Sequence, residues 1–181
     1  LSLRRQRQMC IRDRYYIVST NKGTITSVYA TGKGVKVSPL KIGESSSHIF
    51  EDTSINPEPT VKTKGKTYKF EMSDEDLKTQ TLIKYGDVYA QIYSDQQTNK
   101  ILAVRFLDAN TLATLQPYKL NRAEDEGQIS ESSDDKIPHE QNPNQLITLY
   151  EVTNKMREMK NLKSLKVNND IARIAAINLY E

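Results

Sequence analysis

Residues able to do chemistry are few and scattered in this chain of 181 residues. It has two histidines, His48 and His139, and a single cysteine, Cys10. A zinc centre needs three or four ligands at defined spacing, and nothing in the sequence pairs with either histidine. Ser45, Ser46 and Ser47 directly precede His48. Adjacency in sequence supplies no oriented base, however, and no G-x-S-x-G turn is present to raise a nucleophile. Gly32-Lys33-Gly34 is too short for either glycine-rich phosphate loop. The run Asp74-Glu75-Asp76 lacks the alternating D-x-D-x-D-G pattern and distal Glu of a calcium loop. Placed after Ser73, it reads instead as the first turn of a helix, where each acid is worth about 0.3 to 1 kcal/mol against the macrodipole. No catalytic residue, metal ligand or cofactor is therefore expected.

One constellation could contact a ligand without reacting with it. In Val104-Arg105-Phe106 strand alternation puts Val104 and Phe106 on one face and Arg105 on the other. If Tyr89, Gln91 and Tyr93 align beside Arg105, an open sheet face would present aromatic and guanidinium groups suited to carbohydrate or peptide. The competing expectation is a salt bridge from Arg105 to Asp108.

The elements that must position these residues follow from periodicity. Residues 15–19 (YYIVS), a turn at Asn21-Lys22-Gly23 and residues 24–30 (TITSVYA) read as a hairpin, with Asn and Gly expected at the left-handed turn positions. Residues 88–93 (VYAQIY), a polar turn and residues 101–107 (ILAVRFL) repeat it, as if the chain held the end of one unit and the whole of a second. Between them, residues 40–50 read as a turn and a short helix with Ser45 as cap and Ile49 and Phe50 turned inward. Pro57 and Pro59 break any helix, and residues 68–72 (YKFEM) begin a strand. Residues 110–115 form one helical turn closed by Pro117. The fold class is α+β: an antiparallel β-meander with short helices, over residues 15–120.

Composition shifts mark the remaining boundaries. Residues 1–14 hold Arg4, Arg5, Arg7, Arg12 and Arg14, whereas the rest of the chain has only Arg105, Arg122, Arg157 and Arg173. The segment resembles a translated sequencing adapter; the alternative is a basic arm for nucleic acid or membrane. Without it the formal charge of +3 becomes −1, so the basic balance does not point to nucleic acid as a partner. Residues 121–142 carry seven acids and two bases with almost no apolar residue, the composition of a solvated linker. No run approaches the roughly 18 apolar residues of a membrane span. At the C-terminal end, Asn142 and Pro143 can start a helix whose apolar face is Leu146, Leu149, Thr153 and Met156. Asn161 can end that helix in the left-handed conformation. A second helix capped near Asn168 would place Ile171, Ile174, Ala175 and Asn178 on its inward stripe.

Two resemblances cover most of this organisation. The I-G-E-S start at Ile42 to Ser45, Y-x-F-E at Tyr68 to Glu71, LIKYGDVYAQIYSD over 82–95 and V-R-F-L-D-x-x-T-L…P-Y over 104–118 resemble the CAP-associated N-terminal domain of Firmicute surface proteins. Thr153-Asn154 with Arg157, then NLKSLKV over 161–167, then Ile171-Ala172 with Ala175 resemble the opening of a bacterial CAP domain. CAP denotes the cysteine-rich secretory, antigen and pathogenesis-related superfamily. The resemblance implies an accessory module over 15–120, an acidic linker, and over 143–181 two helices of an α/β/α sandwich that the chain leaves incomplete. Many relatives place a pocket histidine where this chain has Asn178, a poor zinc ligand that is either polar packing or a retained pocket group. The implied setting is the outside of a Gram-positive cell, where the cysteine-poor composition is at home. The implied role is a non-catalytic binding module for cell-wall carbohydrate, peptide or a surface protein. The alternative is a targeting part of a hydrolytic or metal-dependent CAP enzyme.

Overall fold

A computed structural model describes residues 4–11, 14–52, 54–121 and 143–170. Its centre is a six-stranded antiparallel sheet built from β1 (Arg4–Ile11), β2 (Arg14–Asn21), β3 (Thr24–Gly32), β8 (Gln80–Tyr85), β9 (Val88–Ser94) and β10 (Ile101–Leu107). The strand order is β1-β2-β3-β10-β9-β8. The two expected hairpins are β2-β3 and β9-β10, and they join through their second strands, with Arg105 opposite Tyr29. Two three-stranded meanders thus meet at the middle of one sheet, the arrangement that the repeated hairpins foreshadow.

The β2-β3 turn differs in detail from expectation. Lys22 and Gly23 take the positive φ values of 50° and 84°, while Asn21 stays in the ladder opposite Thr24. Two central positions at positive φ give a turn whose twist matches the flanking strands, and Gly bears the larger excursion at no steric cost. The Lys64-Gly65 pair repeats this device between β6 (Thr60–Thr63) and β7 (Lys66–Glu71).

Between the meanders run β4 (Lys36–Val37), β5 (Leu40–Lys41) and α1 (Ser47–Asp52). Next come β6, β7 and α2 (Asp74–Thr79), and after β10 follow α3 (Ala109–Leu115) and β11 (Lys119–Leu120). Strands β11-β7-β6 make a second, small sheet. Ser73 caps α2 as expected, in a reciprocal box. The Asp76 N–H donates to Ser73 Oγ at 3.1 Å and the Ser73 N–H to Asp76 Oδ2 at 2.9 Å. The acidic run therefore starts a helix.

Alternation splits the core between the two faces of the large sheet. Ala30, Ala90, Ile92 and Val104 on one face pack with Val35, Ile42 and Ile49 from the β3-to-α1 connection. Ile49 turns inward as expected, whereas His48 stays exposed with its Nδ1 3.4 Å from Glu51. On the other face Leu82, Tyr89 and Leu107 pack with Val61, Phe70 and Met72 of the small-sheet region and with Leu112 and Tyr118. Each fully buried Ile, Leu or Phe contributes about 1.5 to 3 kcal/mol, so both layers are needed to hold the sheet between them.

Two features go beyond the sequence reading. Residues 4–11 form a strand paired with β2 over eight residues, from Arg4 opposite Asn21 to Ile11 opposite Arg14. An edge strand is held by main-chain bonds, so an arginine-rich segment can join a sheet without an apolar face. The last helix, α4 (Pro143–Met159), lies against β3. The acidic segment 122–142, the second C-terminal helix and Asn178 lie outside the described residues. Among the described residues, no helix is long and apolar enough to cross a membrane.

Candidate functional site

Register decides which of the expected contact residues meet. Gln91 on β9 lies directly opposite Arg105 on β10, and Arg105 lies opposite Tyr29 on β3. Tyr89 and Tyr93 flank Gln91 at two-residue spacing, so all four expected residues share a face with Tyr29. That face is largely covered, which corrects the expectation of an open surface. Gln91 is 1% exposed and Tyr89 5% exposed, because the small-sheet layer and α3 pack over that end of the strands.

Gln91 is held by a chain of tyrosine hydroxyls. Tyr93 donates to Gln91 Oε1 at 2.7 Å, Gln91 Nε2 donates to Tyr118 at 3.2 Å, and Tyr118 donates to the Gln80 carbonyl at 2.7 Å. A buried amide costs about 1 to 3 kcal/mol unless satisfied, and here both its ends are. Burial pushes the hydroxyls of Tyr89, Tyr93 and Tyr118 above the ordinary phenol range. Tyr93 and Tyr118 are neutral structural donors.

The half-buried part of the row is Tyr29, Tyr93 and Arg105. The two tyrosine rings meet edge to face, centroids 6.1 Å apart and planes at 61°. Tyr29 is pushed up to about 12, chiefly by burial and then by neighbouring Tyr93, with Arg105 acting the other way. The Arg105 guanidinium bonds the Tyr93 side chain, while its Nε is buried without a hydrogen-bond partner. The expected Asp108 salt bridge is not what the carboxylate does. Asp108 Oδ1 accepts the Thr111 N–H at 2.6 Å and caps α3. Among the described residues Arg105 has no carboxylate within ion-pair distance.

The same face carries α4 at its other end. Tyr15 donates to Glu151 Oε2 at 2.8 Å, Thr31 Oγ1 lies 3.6 Å from Met159 Sδ, and Lys160 Nζ donates to Asp95 Oδ1 at 3.0 Å. The docking face is thus Glu151 and Met159, eight residues apart and so on one side of a helix. It is not the expected apolar stripe: Leu149 of that stripe is 65% exposed. The motif residues of this helix hold the segment beyond its C-terminus. Asn154 Nδ2 donates to the Leu165 carbonyl at 3.2 Å, and Asn154 Oδ1 accepts the Leu165 N–H at 2.7 Å. Arg157 Nε reaches the Lys163 carbonyl at 2.8 Å and Tyr150 the Leu165 carbonyl at 2.9 Å. Asn161 takes the expected left-handed φ of 55°, reversing the chain so that this strap can run back along the helix. Sequence reasoning found the Asn and Arg as a pattern and missed the work they do, because their partners are carbonyls and carry no side-chain signature.

Among the described residues, no group of three or more His, Cys, Asp and Glu could hold a metal. A surface concavity of about 530 Å³ beside β11 is lined by Glu71, Gln116, Tyr118, Lys119, Leu120 and Asn121. Its only described ion pair is the exposed Lys119 and Glu71, 3.5 Å apart.

Likenesses to known proteins bear on this geometry. The family description CAP-associated N-terminal matches residues 11–118. A cysteine-rich secretory protein of Staphylococcus aureus has the same fold over 97% of this chain, with a TM-score of 0.86 and 59% identity. An extracellular protein of Bacillus anthracis containing an SCP domain matches over 90% of the chain, with a TM-score of 0.73 and 23% identity. The uncharacterized membrane protein YlbC of Bacillus subtilis is 33% identical over 109 residues, 60% of this chain. The chain spans 58% and 52% of the two solved chains and 32% of YlbC. The family match takes in both hairpins, strands β6 and β7 and α3, and the S. aureus likeness extends to 97% of the chain. The chain belongs to the CAP-associated N-terminal family.

Proposed function

We propose that this chain is a non-catalytic accessory module that works outside the cell, orienting a CAP domain and presenting a binding face to the cell wall or a surface partner. The observation that carries this reading is the seating of α4 on the module's own sheet through Tyr15, Thr31 and Asp95. A helix fixed by three contacts to a rigid sheet has a set direction, so whatever is built on that helix inherits the direction. The extracellular setting is supported by the secretory and extracellular descriptions of the two solved relatives. The half-buried Tyr29, Tyr93 and Arg105 supply the contact chemistry, with cell-wall carbohydrate, peptide or a surface protein as partner.

Cosedimentation with purified Gram-positive cell walls tests the binding role. Saturable retention of the full chain is expected, with no release of reducing sugar ends or free amines from the wall. Absence of retention would remove the wall as partner. Release of either product at a rate proportional to chain concentration would overturn the non-catalytic assignment.

A further inference from the structure

Arg105 brings a guanidinium cation to this face of the sheet. It is half-buried, its Nε is shielded with no partner, and among the described residues no carboxylate pairs with it. Its neighbours do not supply the missing charge. Asp108 is committed to the α3 cap, and both ends of the Gln91 amide are taken by Tyr93 and Tyr118. Tyr29 and Tyr93 stay neutral, both held above the ordinary phenol range by burial. A cation partly withdrawn from water without a counter-charge is costly to the protein, and a matching anion offsets that cost.

We propose that Arg105, flanked by Tyr29 and Tyr93, is the floor of a subsite for one carboxylate group of the module's ligand. This rests on the binding role above and narrows it to ligands that carry a carboxylate. The carboxylate is favoured over other anions by charge and by shape. One guanidinium balances a single negative charge. A guanidinium presents its N–H groups in a planar fork that matches a planar carboxylate, whereas a phosphate near neutral pH would leave excess charge unmatched. The edge-to-face ring pair lies on the same side of the sheet as the guanidinium.

Titration of the isotope-labelled full chain with acetate tests this, with chloride at matched ionic strength and inorganic phosphate as parallel arms. The expected result is a saturable shift of the Arg105 Nε–H signal with acetate, accompanied by the ring signals of Tyr29 and Tyr93. Arg105→Lys keeps the charge but loses the fork, and is expected to weaken acetate about tenfold. Tyr93→Phe removes the hydroxyl that the guanidinium bonds and provides a second variant should the first misfold; it is expected to change the acetate affinity severalfold. No saturable shift, or an equal shift with chloride, would overturn the subsite. Tighter binding of phosphate than of acetate would overturn the carboxylate assignment. Retention on cell walls without any acetate response would sink this inference alone and leave the binding role standing.

Discussion

Gln91 illustrates how one polar residue can organise a sheet interior. It looks like a candidate contact residue in the sequence because it lies between two tyrosines at strand spacing. In the fold it joins Tyr93 on its own strand to Tyr118 beyond α3, under the second layer. Gln91→Leu keeps the volume but removes the acceptor for the Tyr93 hydroxyl and the donor to the Tyr118 hydroxyl, so a loss of about 1 to 3 kcal/mol is expected. Denaturant unfolding checks it: the midpoint should fall with the slope unchanged. A variant as stable as the parent would mean that water replaces the amide. The tyrosines themselves make a pH prediction. Tyr29 has a folded pKa of about 12 against about 10 in the unfolded chain, so the native state holds that proton more tightly. Its contribution to stability is complete below pH 10 and is lost as pH rises from about 10 through 12. Tyr89, Tyr93 and Tyr118 shift in the same direction for the same reason. Stability should therefore drop steeply above about pH 10, and tyrosinate absorbance should rise together with unfolding. Smooth ionisation of every tyrosine with the fold intact would contradict their burial.

At the scale of elements, the strap behind α4 makes the sharpest claim. Asn154 offers its amide to the Leu165 backbone much as a neighbouring strand would, accepting one bond and donating another. Asn154→Ala should leave α4 on the sheet, since Tyr15, Thr31 and Asp95 still hold it, but free the 161–167 segment. The expected outcome is faster amide exchange at Leu165 by about fivefold, for the loss of roughly 1 kcal/mol of bonding, with protection of β9 and β10 unchanged. Equal loss of protection across α4 would show that strap and docking are one unit. These elements also show what the sequence made legible. Both hairpins, the α2 cap and the left-handed stop at Asn161 follow from local chemistry, and local chemistry is what a sequence displays. The pairing of β3 with β10 joins residues such as Tyr29 and Arg105 that are far apart in sequence, and no short pattern encodes it. The closure of the Tyr89 and Gln91 face was illegible for the same reason: it depends on Phe70, Leu112 and Tyr118 arriving from elsewhere. The docking of α4 was illegible because periodicity marks apolar residues, whereas the contacts to the sheet use Glu151 and Met159 and leave Ile147 and Leu149 exposed.

For the whole molecule the question is which parts the fold requires, and β1 is the part that decides it. The family match begins at residue 11, and the described buried members of both core clusters lie between Ala30 and Tyr118. Removing residues 1–13 should therefore leave a cooperatively folded chain. What changes is the sheet edge. Strand β2 would expose Tyr15, Tyr16, Ile17 and Val18 along unpaired main-chain groups, with Arg14 as the one charge on the strand. Edges rich in aromatic and β-branched residues and free of proline add strands from other chains unless charge, a bulge or a cover prevents it. The register shift between Ser19 and Thr20 interrupts only the far end. The shortened chain is expected to keep a single unfolding transition and to form dimers as its concentration rises, seen by sedimentation velocity, whereas the full chain stays monomeric at the same concentrations. A shortened chain that melts without cooperativity would show that β1 belongs to the folding unit. One that stays monomeric would show that β2 tolerates solvent at its edge.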